Sequence, residues 1–224
     1  MGAARPPARG GHPPAAQDLE SLARPGVRSK KTRILRLYER RPRGGAVICF
    51  DECGPLELRP LPGITLARVG HPRRRRATYR RTHGTEQFLG FYDVHGDCLM
   101  GTCRRRKTAR DIRAAFRRLR ACYPRRQRLY VVMDNLSTHQ HPLLRAFYRT
   151  HRITVVPLPT YASWLNLIEA HLGAMKRATL NGSDDPTHLV RRRRISRYLT
   201  WRDRNARSTK CRLYRFRSIN LERH

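Results

Sequence analysis

The amino-acid sequence predicts an α/β fold in which a mixed five-stranded sheet is flanked by helices. Two five-residue apolar runs, Ala46-Val47-Ile48-Cys49-Phe50 and Leu129-Tyr130-Val131-Val132-Met133, read as strands buried on both faces, and each stops at an aspartate. The order of elements is the other observation: strands come first, then helix, strand, helix, strand and helix.

Residues 1–27 are rich in Arg, Pro, Gly and Ala and are expected to form a disordered tail, since they bury too little apolar surface to offset their ordering entropy. Residues 28–44 form a linker helix, with Ile34, Leu35 and Tyr38 on one edge, ended by Pro42, Gly44 and Gly45. The main domain covers 45–205. Strands are expected at 46–50, 56–59, 87–94 and 98–103, the last two joined by the turn His95-Gly96-Asp97, with a long basic connection over 63–81. An amphipathic helix follows at 108–123, where Ile112, Phe116, Leu119 and Tyr123 share a face. Strand 129–133, helix 142–150, strand 153–156, helix 163–180 and helix 187–205 complete the domain. This is the element order of an RNase H-like fold. Residues 206–224 are a basic C-terminal extension.

Charge narrows the partners. The 224 residues carry 49 Lys plus Arg against 16 Asp plus Glu, a formal net charge of +33, so a polyanion, nucleic acid, is the expected partner. No apolar run approaches the roughly 18 residues that span a bilayer, and no secretory signal is visible at the N-terminus. The six cysteines include no C-x-x-C pair, and His71, His83, His95, His141, His151 and His171 have no metal-ligand spacing. Candidate phosphate contacts are Arg73, Arg74, Arg75 and Arg76, then Arg104, Arg105, Arg106 and Lys107, and also Arg80-Arg81 and Arg191 to Arg194. Trp164 is expected to pack on the sheet rather than stack on a base.

Three acids sit where a charge is costly. Asp51 and Asp134 each follow a buried strand, at the carboxyl end where open α/β sheets bind ligands. If those strands are neighbours, the two carboxylates converge. Glu169 falls at the margin of the apolar stripe Leu165, Ile168, Leu172 and Met175, and is expected to face the sheet rather than water. Three converging carboxylates repel one another unless hard divalent cations lie between them. Two such ions, roughly 4 Å apart, activate a hydroxyl nucleophile and stabilise the leaving oxygen of a phosphodiester. Taken singly, each acid has an ordinary reading as a helix cap, turn residue or surface ion-pair partner.

Three strings together resemble the mariner-like DDE transposases, in particular their bacterial insertion-sequence branch. The first is Val47-Ile48-Cys49-Phe50-Asp51-Glu52-x-Gly54. The second is Val131-Val132-Met133-Asp134-Asn135-x-x-x-His139. The third is Leu158-Pro159-Thr160-Tyr161-Ala162-Ser163-Trp164-Leu165-Asn166-x-Ile168-Glu169, and 34 residues separate Asp134 from Glu169. The resemblance runs from about residue 30 to about residue 219. It implies a DDE catalytic domain in which Asp51, Asp134 and Glu169 bind two Mg²⁺ or Mn²⁺ ions, cleave transposon ends and transfer strands into target DNA. Asn135, His139 and Asn166 match motif positions and would support the site. Glu52 matches too, but on an alternating strand it points away from Asp51 and is left outside the catalytic set. The resemblance further implies a homodimer on DNA in the bacterial cytoplasm, at the nucleoid. Nothing resembles the family's N-terminal helix-turn-helix region, so the chain is expected to be either a truncated copy or the catalytic half of an element whose helix-turn-helix half is a separate chain. The competing reading is a truncated, catalytically silent DNA-binding remnant.

Overall fold

The structure, a computed structural model, describes residues 25–61, 69–71 and 84–206. Five strands form one mixed sheet in the order β3-β2-β1-β4-β5. They are β1 (Gly45–Glu57), β2 (Thr85–Asp93), β3 (Cys98–Arg104), β4 (Arg128–Met133) and β5 (Ile153–Pro157). The β1–β2 and β2–β3 pairs are antiparallel, and the β1–β4 and β4–β5 pairs are parallel. Among the described residues five α-helices accompany them: α1 (Pro25–Glu39), α2 (Ala109–Ala121), α3 (Pro142–Thr150), α4 (Ile168–Thr179) and α5 (His188–Arg204). The expected mixed five-stranded, helix-flanked sheet is present.

Alternation along β1 divides the core into two layers. Ala46, Ile48 and Phe50 face α2 and α3, where Ile112, Phe116, Leu144 and Phe147 meet them. Phe50 stacks on Phe91 at 4.9 Å and meets Phe116 at 5.0 Å; burial of one such ring stabilises by roughly 2–3 kcal/mol. Cys49 and Cys53 face the other way, toward Ile34 of α1, Ile168, Leu172 and Met175 of α4, and Ile195 of α5.

Local chemistry fixes several boundaries. Thr108 and Asp111 form a reciprocal capping box that starts α2. Pro142 opens α3, and Thr187 caps α5 through the Val190 amide. Three expectations need correction. The two strands read at 46–50 and 56–59 are one strand, because β1 runs through an irregularity between Cys53 and Leu56 that accommodates Gly54-Pro55 while pairing with β2 continues. Helix α1 begins at Pro25, inside the stretch expected to lack structure. The helix expected from residue 163 is broken: a 3-10 turn, Ser163–Leu165, precedes α4, and Asn166 between them is extended. The side chain of Asn166 donates instead to the Phe50 carbonyl, 3.1 Å away.

Helix α5 also departs from expectation. Arg191 is fully buried and pairs through Nε with Asp185 at 3.1 Å, while Arg194 reaches the same carboxylate at 2.7 Å. Arg192 pairs with the buried Glu86 of β2. Arg191, Arg192 and Arg194 are therefore committed to acids of their own chain, because this end of the helix packs over Glu86 and Asp185. Among the described residues no helix is long and apolar enough to cross a membrane.

Removing one partner of a buried pair leaves the other charge uncompensated. Asp185→Asn is expected to lower unfolding free energy by roughly 3 kcal/mol in urea denaturation; a loss below about 0.5 kcal/mol would show that the pair is not coupled to folding.

Candidate active site

The register of β1 against β4 brings the two aspartates together. Ile48 pairs with Val131 and Cys49 with Val132, so Asp51 and Asp134 each lie two positions beyond a matched pair. They stand level where the parallel β1–β4 ladder ends: Asp51 lies within β1, which runs on to Glu57 rather than stopping at the aspartate as expected, and Asp134 follows the last residue of β4.

Glu169 comes from the other direction. It lies in the first turn of α4, whose start is fixed by Asn166 bonding to the end of β1 and by the Glu169 amide bonding to the Asn166 carbonyl at 3.0 Å. Opposite Asp51 on β2 is Gly90, and a Cβ there would meet Ile168 at 3.1 Å and Leu172 at 3.2 Å. The missing side chain lets α4 lie close to the sheet beside Asp51. Tyr38 of α1 donates to the Leu165 carbonyl at 2.8 Å and so ties down the turn before α4. Glu169 itself is exposed, contrary to the expectation that it faces the sheet, because it stands on the opening turn rather than mid-helix.

The electrostatics are those of uncompensated acids. Burial pushes the Asp51 carboxyl up from 3.8 to about 6; the Glu52 amide, 2.7 Å from Oδ1, opposes this, and the charges of Asp134, Glu169 and Glu52 add to it. Other buried acids are answered by partners. Glu86 has Arg192, Asp185 has Arg191 and Arg194, and Asp93 accepts from the Tyr123 hydroxyl and the Gly96 amide. Oδ1 of Asp134 is buried and accepts no aligned hydrogen bond. A hard oxygen donor set with a buried carboxylate oxygen that accepts no aligned hydrogen bond fits a divalent cation. The carboxylates stand open, however: among the described residues no group of three or more His, Cys, Asp or Glu is drawn together tightly enough to hold a metal ion.

The three supporting residues all attach to the site's frame. Asn135 donates to the Leu158 carbonyl at 3.2 Å, joining the ends of β4 and β5. Asn166 joins α4 to β1. His139, on the 3-10 turn Ser137–Gln140, is buried. Its Nδ1 lies 2.9 Å from Asp134 Oδ1, a contact of charge without hydrogen-bond alignment, and 3.3 Å from the Asp134 carbonyl oxygen. Its Nε2 lies 3.0 Å from Glu52 Oε1. Burial alone would lower the His139 pKa, but the Glu52 bond and the Asp134 oxygens outweigh it and the net shift is upward. Burial likewise acts to raise the Glu52 pKa, and its bond to His139 turns the shift downward. Glu52 is thus a residue of the site that alternation assigned correctly to the far face and that sequence reasoning then set aside.

Of the basic candidates, Arg73, Arg74, Arg75 and Arg76 lie outside the described residues, as do Arg80 and Arg81. Arg104 ends β3 level with Gln87, at the same end of the sheet as Asp51. It is half-buried, whereas Arg105, Arg106 and Lys107 are exposed. Lys107 already pairs with Glu52 at 3.3 Å. Trp164 is not packed on the sheet: it is 55% exposed, with the Lys31 ammonium 5.3 Å from its ring centre, because the 3-10 turn projects it outward.

The raised Asp51 pKa has a definite sign. The folded state holds this proton more tightly than the unfolded state, so the site destabilises the metal-free fold as pH rises from about 4 to about 6, and fully above that. Asp51→Asn is therefore expected to raise metal-free stability at pH 7.5 by on the order of 1 kcal/mol, discounted for partial exposure, and by nothing at pH 3.5. Paired thermal melts at the two pH values check this; equal shifts at both would remove the electrostatic explanation.

Comparison with known proteins agrees with this fold. A family model described as DDE superfamily endonuclease matches residues 46–187. The fold is similar to that of the Mos1 mariner transposase paired-end complex with Mg, at 17% identity and a TM-score of 0.64, over 97% of this chain and 65% of that one. The corresponding complex with Mn gives 15% identity and a TM-score of 0.60, over 89% of this chain and 60% of that one. This chain thus spans less than two thirds of the transposase chains it resembles. Comparison with curated proteins finds no match.

Proposed function

The chain belongs to the DDE superfamily endonucleases, and from that premise we propose that it is a transposase catalytic domain that cleaves transposon ends and transfers strands into target DNA. The observation that carries this reading is the level placement of Asp51 and Asp134 on adjacent parallel strands, with Glu169 brought beside them by the Asn166 tie.

Asp51, Asp134 and Glu169 would hold two divalent cations, Mg²⁺ or Mn²⁺, which supply charge stabilisation at the attacking and leaving oxygens of the phosphodiester. The rest of the work belongs to the chain. Asn166 sets the distance from α4 to β1, and Asn135 braces the loop that carries Asp134. Arg105 and Arg106 would hold the phosphate backbone at the carboxylate end of the sheet, with Arg104 beside them, and Arg73, Arg74, Arg75 and Arg76 are further candidate phosphate contacts on their sequence alone. Lys107 serves Glu52 and contributes less to DNA. The finer assignment to the bacterial insertion-sequence branch rests on the third motif string and its 34-residue spacing, and places the activity at the nucleoid in the cytoplasm. On this reading the chain acts as a homodimer on DNA, with a helix-turn-helix chain reading the transposon ends. A second reading, a catalytically silent remnant, is favoured by the open stance of the three carboxylates.

Strand transfer of pre-cut transposon ends separates the two readings. Joining is expected with Mg²⁺ or Mn²⁺, and none in EDTA or in Asp134→Asn; DNA binding without joining under all conditions would favour the remnant. The basic run has its own test. In the double variant Arg105→Ala, Arg106→Ala, the slope of log affinity against log salt is expected to become shallower by about 0.9 per lost phosphate contact. An unchanged slope would place the DNA elsewhere.

A further inference from the structure

The three acids of the site are not equally well held. Asp51 lies within β1, paired across to Gly90, and its own carboxylate accepts from the next amide. Glu169 stands on a helix whose start is tied to β1. Asp134 comes one residue after Met133, the last residue of β4, where the ladder has ended, and no regular element fixes its backbone or rotamer.

We propose that His139, braced from behind by Glu52, is a positioning residue that fixes the Asp134 carboxylate for metal binding. The inference rests on the reading of Asp51, Asp134 and Glu169 as a metal site. The ring of His139 is wedged at the end of the sheet, edge-on to Phe50 at 5.4 Å, with its side chain 4% exposed. One nitrogen faces Asp134 and the other faces Glu52, so each ring edge meets an acid. Lys107 closes the row on the far side of Glu52 at 3.3 Å. The row Lys107, Glu52, His139, Asp134 therefore runs from the α2 face of the sheet to the site on the α4 face.

A histidine that merely filled space would need no buried carboxylate behind it. Glu52 has 7% of its side chain exposed, and it adds a negative charge next to a site that already suffers from repulsion. A well-packed apolar pair in the same volume would be neutral or stabilising. The arrangement makes sense as orientation: His139 Nδ1 holds Asp134 by the 3.3 Å bond to its backbone oxygen and the 2.9 Å charge contact to its carboxylate, and outer contacts of this kind typically change metal affinity by 10–100-fold.

The geometry sets the test. The Asn amide nitrogen matches the position of Nδ1 and the Gln amide nitrogen that of Nε2. His139→Asn therefore keeps the contact to Asp134, whereas His139→Gln keeps the contact to Glu52 and releases Asp134. Mn²⁺ affinity of the full chain, measured by electron paramagnetic resonance of free Mn²⁺, is expected to fall roughly 10-fold or more in His139→Gln and by clearly less in His139→Asn. Glu52→Gln, which keeps its shape, is expected to lie between them. Thermal melts without metal report any loss of folding separately. Wild-type affinity in both His139→Gln and Glu52→Gln, with Asp134→Asn lowering it, would overturn the positioning role and leave the metal site standing. Mn²⁺ binding that is absent in the wild type, or unaltered in Asp134→Asn, would overturn the metal site and this inference with it.

Discussion

The parallel pairing of β1 with β4 is the constraint on which the rest depends. Its register puts Asp51 and Asp134 at one height, and parallel strands can be joined only by a long crossover, supplied here by β2, β3 and α2. A slip of one residue would send one aspartate to the opposite face of the sheet. The apolar runs that end at these acids resist such a slip. Ile48, Phe50, Val131 and Met133 fill one layer while Cys49 and Val132 fill the other, and each is nearly inaccessible. Packing of the core and placement of the acids are thus the same specification.

What the core places, electrostatics opposes. Burial raises the Asp51 pKa, the charges of Asp134, Glu169 and Glu52 add to it, and the metal-free fold carries that penalty. The surrounding ties are directed against that strain. Asn166 and Tyr38 anchor the approach to α4, Gly90 lets the helix come close, and Asn135 and His139 restrain the segment after β4.

Much of this was legible from residue pattern. The apolar runs located β1 and β4, the heptad-like recurrence of Ile112, Phe116 and Leu119 located α2, and the position of each aspartate followed from the end of its apolar run, although β1 itself continues past Asp51. Less legible were features decided by tertiary bonds. Gly54-Pro55 looked like a strand terminus, yet β2 continues the pairing past it. The break at Asn166 could not be read from periodicity, since its cause is a carbonyl 116 positions earlier. Glu52 was placed on its face by alternation, but its partner His139 lies 87 positions away, and only the folded chain shows why an acid is kept there.

Arginine serves two ends in this protein, and the composition cannot separate them. Some guanidinium groups face inward: Arg191 and Arg192 neutralise Asp185 and Glu86, Arg202 pairs with Asp97 and Asp203, and the buried Arg120 donates to the carbonyls of Tyr123 and Gln127 at the turn into β4. Those charges stabilise the fold and are poorly placed to hold DNA. Arg105 and Arg106, exposed where β3 leads into α2, have the opposite character. They stand at the end of the sheet that carries the carboxylates, because β3 runs in the same direction as β1. The count of 49 Lys plus Arg therefore overstates the basic groups available to a polyanion. Position relative to the acidic end of the sheet, rather than membership of an arginine run, is what makes a basic residue here a credible phosphate contact.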